Sequence, residues 1–269
     1  MPSAKIFFFL LLVSLSCQTQ PETLPDPLDP IRAISPQFSL LIEDAYIIDG
    51  SGQAGYSTDL LIRSDTIAFI GAVDTNGLII SRIIPANGRV LSPGFIDPHS
   101  HGDPLREQDF ANFIHQGVTS ITLGQDGFSP KIEDWEKWMD RIDTRGIRPN
   151  LAMMIGHGSM RERSGVGFMA RPRAEDFLKM QKMLVEALQA GAFGMSTGLE
   201  YTPGLYAGEQ ELAALAKTVG QFDGIIMSHI RNEDDDQLFV SLRELMRQGQ
   251  HCRVQVSHIK SVYGKGRAR

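Results

Sequence analysis

"FIDPHSHGDP" occupies Phe95–Pro104. A short apolar run leads through Asp97 to two histidines, His99 and His101, one residue apart. In an extended chain, residues two apart point to the same side. Both imidazoles therefore face one place, and imidazole nitrogen is a good zinc donor. A strand that ends by presenting two such rings predicts a site at its C-terminal end, where parallel α/β folds carry their chemistry.

The pattern downstream says which fold holds that strand. "LREQDFANFIHQG" (105–117) reads as a helix and "VTSITLG" (118–124) as a strand. "IEDWEKWMDRIDTRG" (132–146) reads as a helix with Ile132, Trp135, Met139 and Ile142 on one face and a stop at Gly146. "RPNLAMMIGHG" (148–158), "AFGMSTGL" (192–199), "GIIMSHI" (224–230) and "CRVQVSHIK" (252–260) read as further strands. Amphipathic helices over 173–191, 208–222 and 234–249 separate them. Strict alternation with short connections implies a parallel sheet with right-handed crossovers. Six units in a row, each with polar groups at the strand's end, predict a partial (β/α)8 barrel over 92–269. No GxGxxG or Walker-type loop points to an open-sheet nucleotide binder.

Five of the seven histidines fall at predicted strand ends: His99, His101, His157, His229 and His258. His115 and His251 fall on a helix and just before a strand, where they read as ordinary boundary residues. A lone strand-end histidine is more often a satisfied polar residue than a ligand; five converging on one barrel mouth read as a metal site. His229 and His258 are expected to meet His99 and His101 only if the barrel closes.

The N-terminal half reads differently. "MPSAKIFFFLLLVSLSC" (1–17) has one lysine, an apolar run from Ile6 to Val13, then small polar residues, the layout of an export leader. The run is too short to span a bilayer. "SLSC" resembles a bacterial lipobox with Cys17 in the lipidated place, although Ser14 stands where Leu is usual. The expectation is an exported protein, periplasmic or held at a bacterial membrane by acyl chains. With Cys17 lipidated, Cys252 is alone and no internal disulfide forms. Residues 18–37, rich in Pro and Asp, read as an extended tether. Residues 38–91 read as a small β-sandwich-like domain, with turns at Asp49-Gly50 and Ser64-Asp65 and a hairpin-type turn at Asn87-Gly88. The formal net charge of −6 carries no basic stripe, which excludes an electrostatic footprint for nucleic acid.

From Phe38 onward the chain resembles the amidohydrolase superfamily, and within it the D-aminoacylase (N-acyl-D-amino-acid deacylase) family. The motifs that carry the resemblance are "SPGFIDPHSHGD", "QGVTSITLGQDGFSP", "IGHGSMR", "STGLEYTPG", "SHIRNE" and "VQVSHIK". The resemblance implies one or two zinc ions, with His99 and His101 at one position and His229 and His258 at the other. Members often have Cys where this chain has Asp126 in "GQDG", so Asp126 takes the ligand place. Tyr201 and Lys260 match positions that hold a substrate carboxylate, and an ammonium at the mouth suits that role. His157 receives no firm role. Arg231 is expected to salt-bridge Glu233 or Asp234. The implied reaction is metal-assisted hydrolysis of an N-acyl-D-amino acid to a carboxylate and a free D-amino acid.

In the superfamily the proton-moving Asp ends strand 8. A whole barrel takes about 250 residues, and this chain ends just after the sixth strand. That catalytic Asp is expected beyond Arg269, with no catalytic acid or base inside these residues. The chain is read as a fragment, poorly soluble and inactive alone, whose small β domain lacks its closing strands. The alternatives are a dihydroorotase-like cyclic amidase and a non-catalytic, metal-binding surface lipoprotein. Cyclic amidases more often use a carboxylated Lys on strand 4, and "FGMSTGL" offers none.

Overall fold

The computed structural model describes residues 26–131 and 133–260. The leader, Cys17 and the first part of the tether lie outside the described residues, as does Ile132. The chain divides into two units after Pro93, and each is taken by itself.

The first unit begins with α1 (Asp29–Ile34), then β1 (Gln37–Phe38), β2 (Leu40–Ile47), β3 (Tyr56–Arg63), β4 (Thr66–Ile70), β5 (Ile79–Ile80), β6 (Ile83–Pro85) and β7 (Val90–Leu91). Its main sheet runs β4-β3-β2-β6, with β7 also on β2; β1 and β5 form a parallel pair. The β3–β4 reversal comes at Ser64, whose φ is +56°. Two expectations are corrected here. Within the expected tether, residues 28–37 are not simply extended: α1 forms, and Leu28 is fully buried with Phe38, Leu41 and Leu61. Burying those four side chains offsets the entropy of ordering the segment. Asn87-Gly88 does make a turn, with both φ values positive, but not a hairpin. β6 and β7 both run parallel to β2. The turn steps the chain past a β2 bulge, where the Gly88 amide donates to the Asp44 carbonyl at 2.7 Å.

The second unit continues with β8 (Phe95–Asp97), α2 (Ala111–Ile114), β9 (Val118–Leu123), α3 (Trp135–Arg145), β10 (Asn150–Gly156), α4 (His157–Ser164), α5 (Ala174–Gln189), β11 (Gly194–Gly198), α6 (Glu209–Gln221), β12 (Ile225–His229), α7 (Leu238–Gln248) and β13 (Arg253–Val256). Among the described residues the six strands form one parallel sheet in chain order, β8 to β13. A doubly wound sheet reverses its strand order at a switch point; this one never does. Sequential parallel strands with intervening helices make the α/β arrangement of a partial (β/α)8 barrel.

The core forms where strand side chains meet the helices. Leu123, Ile155, Met195 and Ile226 pack with Leu184, Leu215 and Leu245. On α3 the buried face is Trp135, Trp138 and Ile142, the two indoles 6.1 Å apart, while Met139 is only half-buried. The Asp134 carboxylate caps α3 by accepting from the Lys137 amide at 3.1 Å. The helix expected over 105–116 shrinks to α2. Phe110 sits at φ +43°, which ends any helix through it, and its ring is buried against Phe113. The chain before it turns about Asp103, whose side chain accepts from the Leu105 amide. α4 was not expected. It follows β10 without a loop and stops at Gly165, φ +93°.

Candidate metal centre

The C-terminal ends of five of the six strands hold the site. His99 and His101 follow β8, Asp126 follows β9, Tyr201 follows β11, His229 ends β12, and His258 and Lys260 follow β13.

Asp126 is the hinge of the arrangement. Its Oδ2 lies 3.4 Å from His99 Nε2 and 3.3 Å from His101 Nε2, and its Oδ1 lies 3.9 Å from His229 Nδ1. The His99 ring is 5.3 Å from that of His101 and 5.6 Å from that of His258; the His229 and His258 rings are 4.5 Å apart. The site therefore assembles although β8 and β13 are the outer strands and do not pair. The expectation that the later histidines reach the first two only in a closed barrel is corrected. The twist inherent in a parallel sheet carries its ends round.

The loop that delivers Asp126 is built for close approach. Asp126 itself is left-handed, φ +57°, a conformation aspartate tolerates better than most residues. Gly124 and Gly127 flank it at φ +79° and +80°. A Cβ on Gly124 would lie 2.2 Å from the Met154 carbonyl oxygen, and one on Gly127 2.7 Å from the Gly198 amide nitrogen. Ser196 Oγ pins the loop, accepting from the Gly127 amide at 3.1 Å and donating to the Gly124 carbonyl at 2.5 Å. Gln125, buried, ties it to β8 by donating to the Pro98 carbonyl at 3.0 Å.

Electrostatics favour ligation. Burial pushes the His99 pKa down; Asp126 pulls it up, but His101 and His258 add to the lowering, and the net direction is down. His99 is thus kept neutral, the form that binds metal. Burial, then Asp126, Glu200 and Glu233, raise the Tyr201 pKa, so its phenol stays protonated and can donate. Asp126 Oδ1 and His99 Nδ1 are buried without a hydrogen-bond partner among the described residues, a condition that calls for an ion or another unseen partner. Tetrahedral zinc at about 2.0–2.1 Å from its ligands sets them about 3.3 Å apart. The 3.3 and 3.4 Å separations match that edge, so the donors fit zinc. The sets His99-His101-Asp126 and Asp126-His229-His258 each bring three ligand atoms within 4.8 Å of one another, sharing Asp126.

Two carboxylates that the sequence did not assign to the site also lie beside these rings. Glu200 Oε2 lies 2.7 Å from His229 Nε2, and Glu233 Oε1 2.6 Å from His258 Nδ1. Tyr201 OH lies 3.2 Å from His229 Nδ1. Lys260 Nζ lies 3.3 Å from both Glu233 Oε2 and His258 Nδ1. His101, Asp126, Phe128, Pro130 and Tyr201 line a cavity of about 440 Å³ beside the rings.

Two other residues are placed elsewhere. His157 is fully buried, with Nε2 2.8 Å from Glu211 Oε1, in a cluster with Arg161. Arg231 pairs with Glu244 at 2.8 Å and donates to the Leu205 and Ala207 carbonyls. This corrects the expected pairing with Glu233 or Asp234. α7 brings Glu244 alongside, while Glu233 is taken by His258 and Lys260.

No family model matches the chain. It is 32% identical over 248 residues to an N-acyl-D-glutamate deacylase of Alcaligenes xylosoxydans xylosoxydans, covering 83% of this chain and 50% of that protein. It is 32% identical over 251 residues to a D-aminoacylase of the same organism, covering 84% and 51%. Its fold matches the crystal structure of N-acyl-D-glutamate deacylase from Bordetella bronchiseptica, complexed with zinc and a phosphonate mimic of the tetrahedral intermediate. The TM-score is 0.74 at 30% identity, over 81% of this chain and 50% of that one. The chain spans about half the length of the curated relatives it matches. With its strand-end histidines, its sequential parallel sheet and this likeness, the chain belongs to the D-aminoacylase family of the amidohydrolase superfamily.

Proposed function

We propose that this chain carries the metal-binding half of a zinc-dependent N-acyl-D-amino-acid deacylase. The observation that supports this most is the position of Asp126 Oδ2, equally near two imidazoles of β8, while Oδ1 faces His229. His99, His101 and Asp126 would hold one ion, and Asp126, His229 and His258 a second. Zinc bound there supplies Lewis acidity for an amide carbonyl and makes water acidic near neutral pH.

The chain's own residues do the rest of what is proposed. Lys260 offers an ammonium to the substrate carboxylate, a charge-assisted contact. The protonated Tyr201 phenol offers a second donor at the same mouth. Phe128, Pro130 and Tyr201 give the cavity an apolar wall beside the rings. β11 reads Gly-Met-Ser-Thr-Gly and offers no lysine for a carbamate, which argues against the cyclic-amidase reading.

The test is release of free amino acid from paired N-acetyl-D- and N-acetyl-L-amino acids by the zinc-loaded whole enzyme that contains this half. Release from the D-series supports the reading. Equal or greater release from the L-series, or from dihydroorotate alone, overturns it. Residues 1–17 fit the same proposal as an export leader, with lipidation at Cys17. Radiolabelled palmitate incorporation that survives Cys17→Ala would overturn that part.

A further inference from the structure

We infer that Gln125 is a positioning residue whose side chain crosses the inside of the curled sheet and ties together the strands that carry the two sets of metal donors. Its Nε2 donates to the Pro98 carbonyl at 3.0 Å and to Met227 Sδ at 3.3 Å, with the Thr122 carbonyl at 3.5 Å.

Two carbonyls and a thioether surround that nitrogen. An amide oxygen in its place would meet only lone pairs, so the NH₂ end of the side chain belongs there. The Thr122 carbonyl already accepts from the Ser100 amide at 3.0 Å, so the two hydrogens of Nε2 go to Pro98 and Met227. Pro98 immediately precedes His99. Met227 stands two residues before His229 on β12, so the two side chains share a face. In the sheet, β9 and β12 are separated by β10 and β11. No strand pairing joins them, and the Gln125 side chain reaches β12 through the interior.

An amide at this place is not what packing alone would select. Gln125 is 2% exposed, and its Oε1 is buried without a partner among the described residues. An unpaired buried carbonyl is destabilising, so an apolar side chain would fill the same space better. What the amide adds is a directed link. Gln125 also directly precedes Asp126, the donor common to the His99-His101 and His229-His258 sets. One side chain thus fixes the end of β8, β12 and the start of the Asp126 loop relative to one another. Donors held in place in advance lose less freedom when they take up an ion. Losing the link is therefore expected to loosen both sets together. The inference rests on the proposed deacylase reading for the role of these donors, but the link is a property of the metal-free chain.

The experiment compares the whole enzyme that contains this half with its Gln125→Met and Gln125→Asn variants. Methionine keeps the length of the side chain but removes both donors and the orphan oxygen. The Pro98 carbonyl that it leaves unpaired offsets the oxygen that it removes, so thermal unfolding should stay near wild type. Asparagine is one methylene too short to reach Pro98 and Met227 together. Competition with a chromophoric chelator reads zinc affinity, and amide hydrogen exchange of the metal-free protein reads the opening of residues 98–101. Both variants are expected to bind zinc about tenfold more weakly, with exchange over 98–101 rising severalfold. A residue that only fills the interior would move the unfolding midpoint and leave the zinc affinity of the folded protein unchanged. Wild-type zinc affinity and wild-type exchange in Gln125→Met overturn the inference. Should that variant fail to fold, wild-type values in Gln125→Asn overturn it. If wild type takes up no zinc but exchange over 98–101 still rises in Gln125→Met, the deacylase reading fails and the link stands.

Discussion

Glu200 Oε2 and His229 Nε2 lie 2.7 Å apart, so the proton of the His229 ring sits on Nε2 and Nδ1 is left facing Asp126. Glu200 thus orients the His229 ring. The Glu200 side chain is 42% exposed, so water can replace it in the bond to Nε2–H. Glu200→Ala is expected to weaken zinc binding by less than about tenfold, the lower end of such effects. A loss of about a hundredfold in competition with a chromophoric chelator would contradict this.

Asp126 is common to the His99-His101 and the His229-His258 sets, so Asp126→Ala should reduce metal content at both. Asp126→Asn is the sharper variant, because asparagine also tolerates φ near +57° and leaves the loop intact. Metal analysis after dialysis is expected to show loss of bound zinc in both. Wild-type stoichiometry and affinity in Asp126→Asn would remove Asp126 from the ligand set.

Gly127 meets the Gly198 backbone where a side chain would go, and its φ is +80°. Gly127→Ala is expected to cost at least about 1–2 kcal/mol from the left-handed conformation alone. Its displaced loop should also lower zinc affinity. Thermal unfolding and chelator competition measured together check the two effects. Wild-type values in both would show that the close approach is not needed.

Glu211 joins His157 and Arg161 in a buried cluster away from the metal donors. Burial raises the Glu211 pKa, but the hydrogen bond and charge of His157, then those of Arg161, outweigh it, and the net direction is down. A depressed carboxylate stabilises the fold above its unfolded pKa, near 4.5, and that stability disappears as pH falls through the folded value. Glu211→Ala leaves Arg161 buried without its counter-charge and should cost about 3–5 kcal/mol. Denaturant unfolding from pH 7 down to 3 should show a shallower acid loss in Glu211→Gln than in wild type. Parallel profiles would refute the assignment.

The residues that could be read from sequence are those whose type and local spacing carry the message. His99 and His101 share a face because of the two-residue period of a strand. Asp126 stands between glycines, and Lys260 follows a strand-end histidine. Glu200 and Glu233 could not be read in this way. Glu233 looked like a partner for Arg231 two residues before it, yet Arg231 turns to Glu244, which only the packing of α7 brings near. His157 has the same strand-end signature as His229 and still faces into the core, because Glu211 and Arg161 arrive from α6 and α4. Trp138 displaced Met139 from the buried face of α3, a choice between neighbours that helical spacing alone leaves open.

By itself the sequence determined the class of fold, through alternating strands and helices, and the chemistry, through histidines and one aspartate at strand ends. These are local properties, set by period and residue type. The tertiary structure decided which groups meet: the sharing of Asp126, the pairing of His229 with Glu200, and the approach of Glu233 to His258 and Lys260. Those depend on sheet twist and on distances of a few tenths of an ångström between residues far apart in the chain, and no local pattern encodes them.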